Sequence, residues 1–163
     1  MLRLKTRAQF QAVLAGTTVA RTAHFALHRR APETVGAALP LAGAAASADA
    51  PARKAVPLFD GAGPWMGAMV PKRWARRAVT RNAIKRQIHQ VSASFAPGLA
   101  QAAYLVRLRS GFDRAAFPSA SSAPLKAAVR AELLRLFERA AAAPAVAPGK
   151  ATPVALADPG AAA

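Results

Sequence analysis

The side chains best equipped for chemistry in this chain are cationic and crowded into one segment. Between Lys72 and His89, KRWARRAVTRNAIKRQIH, stand Lys72, Arg73, Arg76, Arg77, Arg81, Lys85 and Arg86. Guanidinium forks and ammonium groups at this density suit the neutralisation of closely spaced phosphates. A merely solvated helix face would mix signs, because Glu/Lys pairs four apart support a helix and like charges oppose it. Here no Asp or Glu occurs between Asp60 and Asp113. A bound polyanion relieves that repulsion, so the segment is expected to meet nucleic acid.

Bond-breaking chemistry finds less support. A protein nuclease needs clustered carboxylates for metal ions or a positioned pair of histidines. His24 and His28 would share a strand face with Ala26 between them, too far apart to act on one phosphate. His89 joins the basic arc, and Glu132 and Glu138 read as solvated helix residues. Cysteine is absent, which removes disulfide scaffolds, zinc ribbons and thiol nucleophiles together.

The element that must position the cations is a helix from Thr80. On it Ile84, Ile88, Val91 and Phe95 fall at spacings of four, three and four, one face to be buried. Arg81, Lys85 and His89 run along the neighbouring edge, with Asn82 and Arg86 beyond. Around that helix the chain reads as a mixed domain. Thr6 is a plausible N-cap for a helix carrying Phe10, Val13 and Leu14, with Gly16 as its stop. Extended runs follow at Thr17–Ala20 and His24–Arg30, the second with Phe25, Leu27 and Arg29 on one face and His24, Ala26 and His28 on the other. Trp65–Val70 reads as a third strand and Ala103–Arg109 as a fourth, while Pro97-Gly98 ends the basic helix. The last element is a helix over Ala123–Ala143, with Leu125, Val129, Leu133, Leu136 and Phe137 at helical spacing and Arg130, Arg135 and Arg139 off that stripe. The expected class is α+β, a small α/β sandwich of a four-stranded sheet and three helices in the order α-β-β-β-α-β-α.

Two segments stand outside this pattern. Residues 31–63 and 144–163 are rich in Ala, Pro and Gly and poor in large apolar side chains. The first is expected to be a low-complexity flexible insert and the second a disordered tail, leaving 1–30 and 64–143 as a single nucleic-acid-binding domain. With 23 Lys and Arg against 7 Asp and Glu, the formal charge is +16, which implies non-specific affinity for nucleic acid and a steep salt dependence. The N-terminal MLRLKTRAQF has no apolar run of signal-peptide length, and no stretch approaches a membrane span. A cytoplasmic protein with no membrane partner and no small-molecule substrate is expected. Charge does not say which nucleic acid, and a ribosomal or other structural RNA-binding protein would share these features. A DNA-binding regulator would need a helix-turn-helix and a dimer surface, and neither is visible in the sequence.

The run from Gly67 to Arg86, GAMVPKRWARRAVTRNAIKR, resembles the signature of the bacterial ribonuclease P protein subunit. That family has a strand ending in Gly-x-x-Val-x-Lys-Lys/Arg, a short basic turn, and a helix with Arg-Asn-Arg-x-Lys-Arg. Phe10, Gly16 and Phe25 sit where it places a helix aromatic, a turn and a strand aromatic. Ala83 departs from the pattern, removing one guanidinium fork where the family has its second arginine.

The resemblance implies a subunit that joins a catalytic RNA to remove the 5′ leader from precursor tRNA, with Mg²⁺ held by the RNA and no catalytic residue in the protein. Carried onto this chain, Lys72, Arg73, Arg76, Arg77, Arg81, Asn82, Lys85, Arg86 and His89 would bind the RNA subunit. Phe10, Leu14, Phe25 and His28 would line a cleft for the single-stranded leader. Flat side chains on a sheet suit unstacked bases, as Arg forks suit the phosphates of a structured RNA.

Overall fold

In the computed structural model, which describes residues 1–31, 58–59, 63–119 and 122–142, Thr6 caps the first helix as its side chain allows. Its hydroxyl accepts from the Gln9 backbone N–H, and Gln9 Oε1 accepts in return from the backbone N–H groups of Thr6 and Lys5 at 3.2 and 2.8 Å. This capping box satisfies donors that the helix cannot, a contribution of about 1 kcal/mol. The helix so opened is α1, Arg7–Leu14.

The remaining elements are β1 Leu2–Arg3, β2 Thr17–Arg21, β3 Phe25–Arg30, β4 Trp65–Met69, α2 Ala78–Phe95, a 3₁₀ turn Ala96–Gly98, β5 Ala103–Leu108 and α3 Ala123–Ala142. The strands form one mixed sheet in the order β1-β4-β5-β3-β2. β4 and β5 lie parallel, which requires the crossover that α2 supplies, whereas β3 runs antiparallel to β5 and to β2.

The sheet therefore has five strands rather than the four expected. The extra one, β1, is two residues long and pairs parallel with β4, Leu2 opposite Trp65 and Arg3 opposite Met66. A two-residue strand carries no alternation, so its pairing is a tertiary event without a local signal. The three helices stand where their apolar stripes indicated, although α2 begins two residues before Thr80.

Alternation divides the sheet into two faces. Phe25, Leu27, Met66, Tyr104, Val106 and Leu108 point to one side, where they are buried against Ile84, Ile88 and Val91 of α2 and the α3 stripe of Leu125, Val129, Leu133, Leu136 and Phe137. Phe95 closes this core by stacking on Phe137, ring centroids 5.5 Å apart. Each such side chain contributes about 1.5–3 kcal/mol by leaving water. On the other side, Val13 of α1 with Leu4, Ala103 and Leu105 makes a smaller cluster that Phe10, Leu14 and Trp65 cover in part. Gly67 sets how closely α1 approaches, since a Cβ there would meet Leu4 Cδ1 at 2.6 Å and Phe10 Cε1 at 3.1 Å.

Most of the low-complexity insert, and the tail from 144, lie outside the described residues. Two residues assigned to the insert are packed: Phe59 meets the Trp65 ring edge-on at 5.9 Å, and the Leu58 carbonyl accepts from Gln9 Nε2 at 3.0 Å. No helix among the described residues is long and apolar enough to cross a membrane.

Candidate nucleic-acid interface

After β4 comes the buried Val70, and Pro71 then starts a tight turn whose carbonyl accepts from the N–H groups of Trp74 and Ala75. This turn carries Lys72, Arg73, Arg76 and Arg77 outward, all exposed. Arg77 is the N-cap of α2 and makes no side-chain capping bond, and no acid occupies the first turn. Cations at a helix N-terminus oppose its dipole, so the arginines around this uncapped end add positive charge where the helix already presents it.

Arg81 has a second task that the helical pattern does not show. Its Nη1 donates to the carbonyls of Ala75 and Arg76 at 3.0 and 2.6 Å, clamping the basic turn to the first turns of α2. A charged fork on two carbonyls fixes the turn better than a neutral donor would. Asn82, Lys85 and Arg86 are exposed beyond it, and Ala83, at the position of the departed arginine, is half-buried.

Farther along the helix, Asn82, Lys85, Arg86, His89 and Gln90 border a groove of about 520 Å³ whose opposite side is Arg3. β1 brings Arg3 there, a cation the sequence reading missed because the strand that places it has no local pattern. Burial, with the charges of Arg3 and Lys85, holds the His89 imidazole below its ordinary pKa of 6.5. His89 is therefore neutral at pH 7 and serves the groove as a hydrogen-bonding group rather than a cation.

The leader-cleft candidates divide between the two faces of the sheet. Phe10, Leu14 and His28 are half-buried on the side of α1. Phe25 is 0 % exposed in the core under α2 and α3 and cannot line a cleft on the α1 side. Alternation shows that Phe25 and His28 face opposite ways, while the choice of face follows from which helix covers which side. On the open face, His28 Nδ1 lies 3.3 Å from Thr18 Oγ1. Burial first, then Arg107 and Arg21, lowers the His28 pKa. Arg107 Nε is buried without a hydrogen-bond partner. A buried donor left unpaired costs stability, and Arg107 joins Arg21 as a cation facing His28. One signal for it exists in the sequence: Arg107 alternates with Leu105 on a strand otherwise apolar.

His24 departs from its expected place as a strand-face residue. β3 begins after it, and its backbone N–H and ring Nδ1 donate to Glu132 of α3 at 2.6 and 2.8 Å. Its ring stacks on Phe112 at 4.1 Å. Burial pushes the Glu132 carboxyl up, but hydrogen bonds from Thr22 and His24 and the His24 charge outweigh it, and the pKa lies below the ordinary 4.5. Glu132 is a tether between α3 and the β2–β3 turn, not a solvated surface acid.

A small mixed sheet with a crossover helix of this charge defines an α+β architecture found in a solved structure of the Staphylococcus aureus RNase P protein. The two superpose with a TM-score of 0.53 at 18% identity, over 85% of this chain and 94% of that one. The Ribonuclease P family model matches residues 1–140, and the chain belongs to that family. The Ribonuclease P protein component of Ralstonia pickettii (strain 12J) is 34% identical over 151 residues, 93% of this chain and 86% of that one. That of Burkholderia mallei (strain SAVP1) is 41% identical over 76 residues, 47% of this chain, and the match spans only 56% of that relative's length.

Proposed function

We propose that this chain is the protein subunit of a ribonucleoprotein ribonuclease P, cytoplasmic in location, that assists endonucleolytic removal of the 5′ leader from precursor tRNA. The observation that carries the reading is the acid-free cationic surface formed by turn 72–77 and the exposed arc of α2, in a chain of this family. That surface takes the catalytic RNA, with Arg3 and His89 completing its far groove. The α1 side of the sheet takes the leader, unstacked bases lying against Phe10, Leu14 and His28 and a phosphate on Arg107. Two surfaces on opposite sides of one sheet let one small protein touch both RNAs.

Bond cleavage belongs to Mg²⁺ held by the RNA, which supplies the activated water. The protein's histidines support that division of labour. His24 is tied to Glu132, His28 stands on β3 beside Thr18, and His89 stands on α2. The protein raises substrate affinity and screens phosphate repulsion, effects that matter most when Mg²⁺ is scarce.

The test is precursor-tRNA cleavage at low Mg²⁺ with the cognate catalytic RNA alone, the protein alone and the two together. Cleavage confined to the mixture, or much faster there, is expected. A protein without effect on the RNA would point to a structural RNA-binding role, and cleavage by the protein alone would place an active site in the chain.

A further inference from the structure

Between the basic turn and the loop that follows β5 lies a cavity of about 540 Å³. Its apolar interior includes Ile84 of α2 and Leu125 of α3, both buried. Trp74, a large aromatic that is 38% exposed, lines it together with Phe117. The cavity also touches Arg76, Arg77 and Arg114, and no acid is among the described residues that line it. Rings that can stack, an apolar floor and a cationic rim fit a nucleobase joined to its phosphate, whereas a bare anion would leave the floor unused.

The walls are held in place. A Cβ on Gly111 would come within 3.0 Å of the Trp74 carbonyl oxygen, so the loop and the turn meet backbone to backbone there. The Phe117 N–H donates to the Asp113 carbonyl at 2.9 Å, and Asp113 Oδ1 accepts from the Ala115 N–H. Phe117 sits edge-on to Phe112 at 5.9 Å, and Phe112 stacks on the tethered His24 ring. The aromatic wall thus rests on the link between β3 and α3. A pre-formed cavity costs little ordering when it binds.

We infer that this cavity receives a single unstacked nucleotide of the bound RNA, its base against Trp74 and Phe117 and its phosphate on Arg76, Arg77 or Arg114. The inference rests on the RNA-subunit reading above. It adds a base-stacking contact to a surface otherwise described by phosphate neutralisation. Because stacking tolerates any base and resists salt, the contact gives the interface a component that counterion release does not weaken.

The chain has two tryptophans, Trp65 and Trp74, so the full-length Trp65→Phe variant reports on Trp74 alone. Titration with the catalytic RNA is expected to quench its emission. In the same background, Trp74→Ala should weaken RNA affinity about 5- to 100-fold with an unchanged salt slope, and Trp74→Phe should restore most of the loss. Unchanged emission on RNA binding, or a loss with Trp74→Ala that Trp74→Phe does not restore, would overturn the stacking role. Quenching by adenosine monophosphate but not by RNA would assign the cavity to a free nucleotide and overturn the RNA source. Arg86→Ala, outside the cavity, serves as the control for the underlying reading. If it weakens RNA binding while Trp74 stays silent, only the cavity inference fails, and if the chain does not bind the RNA at all the subunit reading fails with it.

Discussion

Replacing Arg81 with alanine separates a phosphate contact from a scaffold. If Arg81 only neutralised one phosphate, its loss would lower the salt slope of RNA binding by about one. A single contact of that kind is worth about threefold in affinity over a fourfold rise in salt. Here the guanidinium also holds the carbonyls of Ala75 and Arg76. One bond is half-buried and the other exposed, so their loss costs about 1–2 kcal/mol of local order rather than the full strength of two charged hydrogen bonds. Releasing the turn that presents Arg76 and Arg77 should weaken up to three contacts together. The slope then falls by two to three, and the corresponding affinity effect over the same salt range approaches roughly 40-fold. Arg81→Lys, which keeps the charge and loses the fork, should fall between the two. The assay is filter binding or anisotropy with the catalytic RNA at four or more salt concentrations, with thermal unfolding in parallel. A slope change of one and an unaltered unfolding midpoint would refute the clamp and leave Arg81 as an ordinary phosphate contact.

Three further outcomes are expected. Gly67→Ala should destabilise the protein by about 1–3 kcal/mol through contact with Leu4, Leu105 and Phe10. By displacing α1 it should reduce leader-dependent stimulation of cleavage more than affinity for the catalytic RNA, as leader-length series would show. Glu132→Ala should cost about 1–3 kcal/mol in chemical denaturation, since it leaves the His24 backbone and ring donors without their acceptor. The Glu132 pKa is lowered on folding, so its stabilisation is complete above the ordinary glutamate value of 4.5 and is lost as pH falls through the lower folded value. The stability gap between wild type and variant should therefore close in that acid window. Arg107→Gln should weaken binding of precursor tRNA but not of mature tRNA to the holoenzyme, because the buried Arg107 Nε lies on the face proposed for the leader; equal loss for both would remove Arg107 from that contact.

Much of the architecture was legible because it follows from local rules. The α2 stripe of Ile84, Ile88 and Val91 and the α3 stripe from Leu125 to Phe137 are buried as their spacing implied. Thr6 caps as a threonine before a helix should, and the four longer strands lie within a residue of where alternation put them. The exposed cations of the turn and α2 were equally plain, since a run without acids cannot be neutralised from within.

The remainder depended on partners distant in the chain. Alternation separated Phe25 from His28 but was silent on which face α1 would cover, so Phe25 was expected in a cleft and lies in the core. His24 read as an ordinary strand residue because its partner, Glu132, stands 108 positions away. β1 has too few residues to announce itself, and with it Arg3 went unnoticed. From sequence by itself came the charge, the helical stripes and the cap, properties set within a few residues by backbone period and side-chain chemistry. Tertiary structure alone decided that Arg81 turns back on its own turn, that Arg107 is left with an unmet donor, and that Trp74 and Phe117 share a cavity, because each depends on contacts that only the closed sheet brings within reach.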